Sequence, residues 1–227
     1  MDLGLESRVV LVAGGRGYVG SAVARQLGAE GATVVVASRE PGPDGVPLDL
    51  RDQGSVDAAV RRVLDEHGRI DGLVVSAAPS ARTLDPARHA DPVQIAQALD
   101  AKALGFVRLV AAVTPAMRSA GYGRVVGISG QNAYLTGNLT GALRNAALVI
   151  AAKGFADDLA GTGVTVNTVN PGPVTDEPSA QVPAGGPGES SPEQIAALVT
   201  FLVSPLAAAV SGEAIAVGHR VRGAVTF

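Results

Sequence analysis

The chain contains no cysteine, which excludes disulfides and thiolate metal sites and is compatible with a reducing cytoplasm. It shows no N-terminal signal pattern and no apolar stretch approaching about 18 residues, so neither secretion nor a membrane span is expected. Basic runs are missing too. The net charge is −3 and only two of the 18 cationic residues are lysines, so nucleic acid and anionic membranes are not expected partners. Charged residues are scarce, 17% against 47% hydrophobic over 227 residues. That balance suits one α/β domain whose parallel sheet is covered by helices on both faces. There is no internal repeat and no coiled-coil pattern.

What the chain does have is organised around Arg8 to Gly20, RVVLVAGGRGYVG. Val9–Val12 reads as a strand buried on both faces. Glycines at 14, 17 and 20 follow as G-x-x-G-x-x-G, and Ser21 opens a helical stretch that stops at Gly31. Strand, glycine turn and helix bring backbone N–H groups at a helix N-terminus towards a pyrophosphate. Further strand-like runs lie at Thr33–Ala37, Val46–Leu48, Gly72–Ser76, Arg124–Ser129, Val164–Val169 and Ala214–Val217. Helical stretches fall between them at about 20–29, 53–66, 92–119, 139–160 and 192–203. Repeated βα units of this kind specify a doubly wound parallel sheet, with ligands beyond the carboxyl ends of the strands.

Those ends carry the candidate site. The second strand ends in Ser38-Arg39, where an acidic residue would favour NAD and an Arg can hold a 2′-phosphate. Arg16 in the glycine turn can join it, so NADP is the expected cofactor, with NAD as the alternative. Asp49 either accepts from the adenine amino group or serves its own turn. Ser76-Ala77-Ala78 are small enough for a ribose to pack closely. The Pro79–Pro92 segment, with Arg82, Arg88 and His89, is a polar loop bordering a substrate, and His89 is expected to be exposed.

The fragments Val9–Gly20, Asp71–Ala78, Gly123–Ser129, Val164-TVNTVNPGPV and Val210-SGEAIAV resemble the short-chain dehydrogenase/reductase family in order and spacing. The likeness covers nearly the whole chain. It implies a Rossmann-type doubly wound parallel seven-stranded sheet in a single domain, a nicotinamide cofactor, a small-molecule substrate and a homodimer or homotetramer. The many Ala, Val and Leu residues of 92–119 and 139–160 would pair across a two-fold axis in such an assembly. The glycine turn departs from the usual family spacing, with Tyr18 inside it. The cofactor-binding set expected on this basis is Gly14, Arg16, Gly17, Tyr18, Val19, Gly20, Ser38, Arg39, Asp49, Leu50, Ala77, Ala78, Pro171, Gly172, Val174 and Thr175.

The catalytic departure is larger. The family uses a Tyr to move the carbonyl proton and a Lys four residues on to lower its pKa from near 10. The resemblance puts Gly141 at the Tyr position, Asn145 at the Lys position, Gly130 at the Ser position and Lys102 at the supporting Asn position. Ser129, Tyr134, Lys102 and Asn145 are therefore the candidate replacements. Tyr134 is the only phenol nearby, and packing roles for Tyr134 and Lys102 stand as the alternative. The segment 176–190 is too rich in Pro and Gly for a stable helix, so the usual lid looks reduced. Ser191 and Pro192 restart a helix as N-cap and first residue. His219 reads as a tail or interface residue. Three functions stay open: an oxidoreductase on a small carbonyl or alcohol with a non-standard proton donor, a non-redox enzyme of secondary metabolism on the same fold, and a catalytically dead partner subunit.

Overall fold

The structure is a computed structural model that describes residues 2–79 and 83–224. Seven parallel strands run in the order β3-β2-β1-β4-β5-β6-β7. They are β1 (Val9–Ala13), β2 (Thr33–Ser38), β3 (Val46–Pro47), β4 (Gly72–Val75), β5 (Gly123–Ile128), β6 (Val164–Pro171) and β7 (Ala214–Val217). Strands β1, β4, β5 and β6 are buried along their whole length, which is why they read as unbroken Val-rich runs rather than alternating ones. Period two still sorts the side chains. Val9, Leu11 and Ala13 face one core while Val10 and Val12 face the other.

The helices are α1 (Tyr18–Ala29), α2 (Gln53–His67), α3 (Pro92–Leu99), α4 (Gly105–Ala120), α5 (Leu139–Asp158) and α6 (Pro192–Val203). On one face α2, α4 and α5 bury Val60, Leu109, Val113 and Leu148, together with Phe106, whose ring meets Phe155 edge-on at 6.4 Å. On the other face α1 and α6 bury Val23, Leu27, Ile195 and Leu202. Ser191 caps α6 in a capping box with Gln194, and Pro192 opens the helix, as expected from the sequence. No helix among the described residues is long and apolar enough to cross a membrane.

One expectation is corrected. The stretch 92–119 is not a single helix: α3 and α4 are joined by a π-helical turn over Asp100–Leu104. Apolar spacing continues through the turn, so the extra residue per turn leaves no trace in the pattern. The turn points Lys102 inwards, where it is 6% exposed. Just beyond it Arg108 donates to the Leu50 carbonyl (3.1 Å) and to Asp100 (2.7 Å), fixing the loop after β3.

At the amino ends of the strands the buried charges are fully paired. Asp71 receives the Val9 amide (2.9 Å), Arg8 (3.1 Å) and Arg69 (2.5 Å). Burial works against its charge, but Arg69, the Val9 amide and Arg8 outweigh it and hold the carboxyl below its ordinary value. Arg8 and Arg124 stack on the Tyr122 ring, 4.1 and 4.4 Å from its centroid. Arg124 also donates to the carbonyls of Gly123, Gly163 and Ser204.

Candidate active site

The strand order reverses between β1 and β4, and the crevice opens at their carboxyl ends. The glycine turn can pass there only because it lacks side chains. Gly14 has φ +81°, and a Cβ on it would lie 2.6 Å from the Ala77 nitrogen; one on Gly20 would lie 2.1 Å from the Gly14 oxygen. Gly17 caps α1 without a side-chain bond, and the first turn holds no acidic residue. The helix-start amides are thereby left for an anion.

Beyond this turn lies a cavity of about 240 Å³. It is lined by Gly14, Gly17, Ser38, Arg39, Asp49, Leu50, Ala77 and Ala78 of the expected set. Ser76, from the expected Ser76–Ala78 run, and Pro79, at the start of the expected polar loop, line it too, as do Ala37, Leu48, Arg51 and Ala101, which were not singled out in the sequence. The Asp49-Leu50-Arg51 run is the available signal for Arg51. The Ser38 hydroxyl is buried with no partner, and Arg39 is exposed with no hydrogen bond among the described residues. The Asp49 carboxylate accepts the Arg51 amide at 3.0 Å. That bond holds its pKa below the ordinary value, with burial opposing and the Arg51 side chain assisting. Asp49 thus serves its turn and lines the cavity as well.

The remaining expected residues lie outside that lining. Arg16 is exposed and lies against Gly42 in the β2–β3 loop. The Tyr18 hydroxyl donates to Asp176 (2.5 Å), tying the glycine turn to the segment after β6. The Val19 side chain packs into the α1–α6 core, and Gly20 is used up in the contact with Gly14. Arg82 falls outside the described residues, and exposed His89 receives the Leu139 amide and anchors α5.

Pro171, Gly172, Val174 and Thr175 are held by the returning ribbon. Thr175 donates to Ser190 (3.1 Å), Ser190 to Pro173 (3.1 Å), and a Cβ on Gly172 would lie 2.2 Å from the Gly188 oxygen. Residues 176–190 form no helix and zip instead onto the tail, Gly188 to His219 at 2.8 Å and Arg222 to Gly186 at 2.9 Å. Gln131, 1% exposed, pins that tail from the other side by bonding the His219 carbonyl (3.1 Å) and the Val221 amide (2.9 Å). Composition foretold the missing helix but not this partner.

Three of the four catalytic candidates form one buried chain. Lys102 donates to the Ser129 carbonyl (3.0 Å), and the Ser129 hydroxyl donates to the Asn145 carbonyl (3.0 Å). The Asn145 side-chain oxygen is buried without a partner. Burial, then repulsion from Arg144, lowers the Lys102 pKa to about 7. Tyr134 turns the other way: its hydroxyl accepts from Asn170 at the end of β6 (3.0 Å). No hydrogen bond joins Tyr134 to Lys102, so the structure does not assemble a phenol–ammonium pair from these residues. Gly141 sits in the first turn of α5 under the Asn138 cap (2.9 Å).

Comparison with known proteins bears on the family and the fold. A family model described as enoyl-(acyl carrier protein) reductase matches residues 13–219. The 3-oxoacyl-[acyl-carrier-protein] reductase FabG of Vibrio cholerae is 30% identical over 237 residues, covering 93% of this chain and 96% of that protein. The corresponding MabA of Mycobacterium tuberculosis is 30% identical over 229 residues, covering 93% and 91%. Among solved structures, a protein titled ribose-5-phosphate isomerase from Brucella melitensis superposes with TM-score 0.82 at 24% identity over 96% of this chain and 93% of its own. At that identity the match speaks for the fold alone.

Proposed function

This chain belongs to the short-chain dehydrogenase/reductase family, and on that premise we propose that it is an NADP(H)-dependent oxidoreductase working without the family's Tyr–Lys pair. The observation that carries the reading is the cavity at the ends of β1, β2 and β4, with Ser38 and Arg39 in its wall and the amides of α1 at its mouth. The orphaned Ser38 hydroxyl, and the Arg39 guanidinium, exposed and among the described residues held only by its attraction to the Asp49 carboxylate, suit a 2′-phosphorylated ribose. The bound nicotinamide would supply or accept the hydride. Gly17 and the first turn of α1 would hold the pyrophosphate, and Ala77 and Ala78 would let a ribose pack against the sheet.

Among the candidate replacements, Tyr134 fits the proton donor's part best. Asn170 donates into its oxygen, so the phenol's own proton stays available to a substrate carbonyl. Lys102, Ser129 and Asn145 bond one another and act as positioning residues that fix the loop after β5 against α5. The relatives' names put 3-oxoacyl thioesters first among the carbonyls to try. A homodimer through α5 goes with this reading. Leu139, Leu143 and Ile150 fall on one face of the helix and are 40%, 40% and 71% exposed, a stripe that an isologous contact would cover.

The test is stopped-flow oxidation of NADPH with a 3-oxoacyl thioester. Slow turnover is expected in the native chain, with a loss of at least about 10²-fold in Tyr134→Phe at unchanged NADPH affinity. Equal rates in the two proteins would remove Tyr134 from the mechanism. Light scattering reads the assembly, and a monomer at micromolar concentration would contradict it.

A further inference from the structure

Beside the adenosine cavity, and sharing Arg51, Pro79 and Ala101 with its wall, lies a second cavity of about 370 Å³. Arg144 of α5 lines it, and that side chain is anomalous. The residue is 5% exposed, yet no carboxylate pairs with it among the described residues. Its Nη1 donates to the Pro79 carbonyl (3.1 Å), and its Nε is buried with no partner. Nothing among the described residues receives Nη2. A guanidinium carries five N–H donors and cannot shed its charge. A buried one facing a cavity with most donors idle is costly unless an anion completes it.

We propose that this cavity is a binding site for the oxyanion of a small acid, a carboxylate or a phosphate monoester, taken by Arg144 in a bidentate grip. The rest of the wall suits such a ligand. Ala98 and Ala101 are apolar and small, which leaves room for a short carbon chain behind the charged end. Gln97 is exposed at the cavity with its amide uncommitted, whereas Gln94 is fully engaged by Asp85, Arg88 and Thr140. Arg51 adds a second positive group, already partly answered by Asp49 at 3.4 Å. The volume falls in the range of small-molecule sites. Lys102 adds to the local positive field: Arg144 repels it strongly enough to help lower its pKa. An arriving anion would relieve both cations. The site stands whether or not the cofactor reading holds, because none of its donors is asked to touch a nucleotide.

The experiment is calorimetric titration of the full chain with sodium butyrate and, separately, with inorganic phosphate at fixed ionic strength, with n-butanol as the uncharged control. Saturable binding of one anion is expected, and which one binds tells carboxylate from phosphate. Arg144→Met should weaken it at least tenfold. Should that variant fail to fold, Ala98→Leu keeps the guanidinium but fills the cavity, and it should weaken binding to the same degree. NADPH titration on the same samples keeps this result apart from the cofactor reading. Failure of both anions to bind saturably, or binding that survives either substitution, would overturn the proposal.

Discussion

The two ends of the sheet treat buried polarity in opposite ways. At the amino end Asp71 is met by two arginines and an amide, and Arg124 by three carbonyls and the Tyr122 ring. At the carboxyl end Arg144, Asn145, Asn170 and Ser38 each keep a buried side-chain atom with no partner, and Lys102 has only a carbonyl. Buried polar groups are normally satisfied, and orphans call for a reason. A pole that only has to fold can pair everything internally. One that must receive a ligand has to leave donors and acceptors open. Thr165, Thr168 and Thr200 also keep unpartnered hydroxyls on β6 and α6, so the contrast holds for charged and amide groups rather than for every hydroxyl.

The strongest way to break the contrast is to rebuild the missing donor at the open pole. Gly141 has an ordinary helical backbone, and a Cβ there would meet Asn132 at 3.3 Å and Asn138 at 3.4 Å. Gly130 has φ 169°, extended backbone open to any residue. Its Cβ would meet Asn145 at 3.2 Å, a side chain that the design replaces. The triple variant Gly130→Ser, Gly141→Tyr, Asn145→Lys should raise ketone reduction by on the order of 10²–10⁴ in a steady-state NADPH assay. The double variant lacking the lysine should stay near the native rate, because a phenol without its cation keeps its ordinary pKa.

Opposite pH signatures sharpen the contrast. Asp71→Asn leaves Arg8 and Arg69 facing a neutral amide, and because both arginines are partly exposed it should cost about 1–2 kcal/mol at pH 7. The Asp71 pKa is lowered in the fold, so its contribution is present above the ordinary 3.8 and fades as pH falls through its lower folded value. The variant and native curves should therefore converge in acid. Lys102→Met should stabilise by about 2 kcal/mol, the scale on which buried ionic groups yield to apolar ones. Between the folded value of about 7 and the ordinary 10.5 the unfolded chain binds a proton that the folded one lacks, so native stability rises with pH across that window. The gain from Lys102→Met should be full below pH 7 and shrink towards 10.5. Urea melts at pH 5, 7 and 9.5 measure both variants.

Much of this was legible in the sequence because it is local. Continuous Val runs give the buried strands, and Gly14, Gly17 and Gly20 give the turn. The pair Ser191 and Pro192 starts α6 where the sequence placed it. What stayed hidden is tertiary. Arg144 is a lone cation in the run ALRNAAL, and nothing in that run marks it as buried beneath α3 and Pro79. The π turn at Lys102 changes the hydrogen-bond step without changing the apolar pattern. The ribbon 183–190 owes its shape to a tail that lies some thirty residues on, reached through Gln131 rather than through any local preference.

The central claim is that the open pole is built for a 2′-phosphorylated dinucleotide, and calorimetric titration of the native chain with NADPH and with NADH tests it most directly. Engagement of the phosphate by Arg39 predicts binding about tenfold tighter for NADPH, close to 1.4 kcal/mol, with the gap closing in Arg39→Ala. Equal affinities in the native protein, or no binding of either nucleotide, would contradict the account.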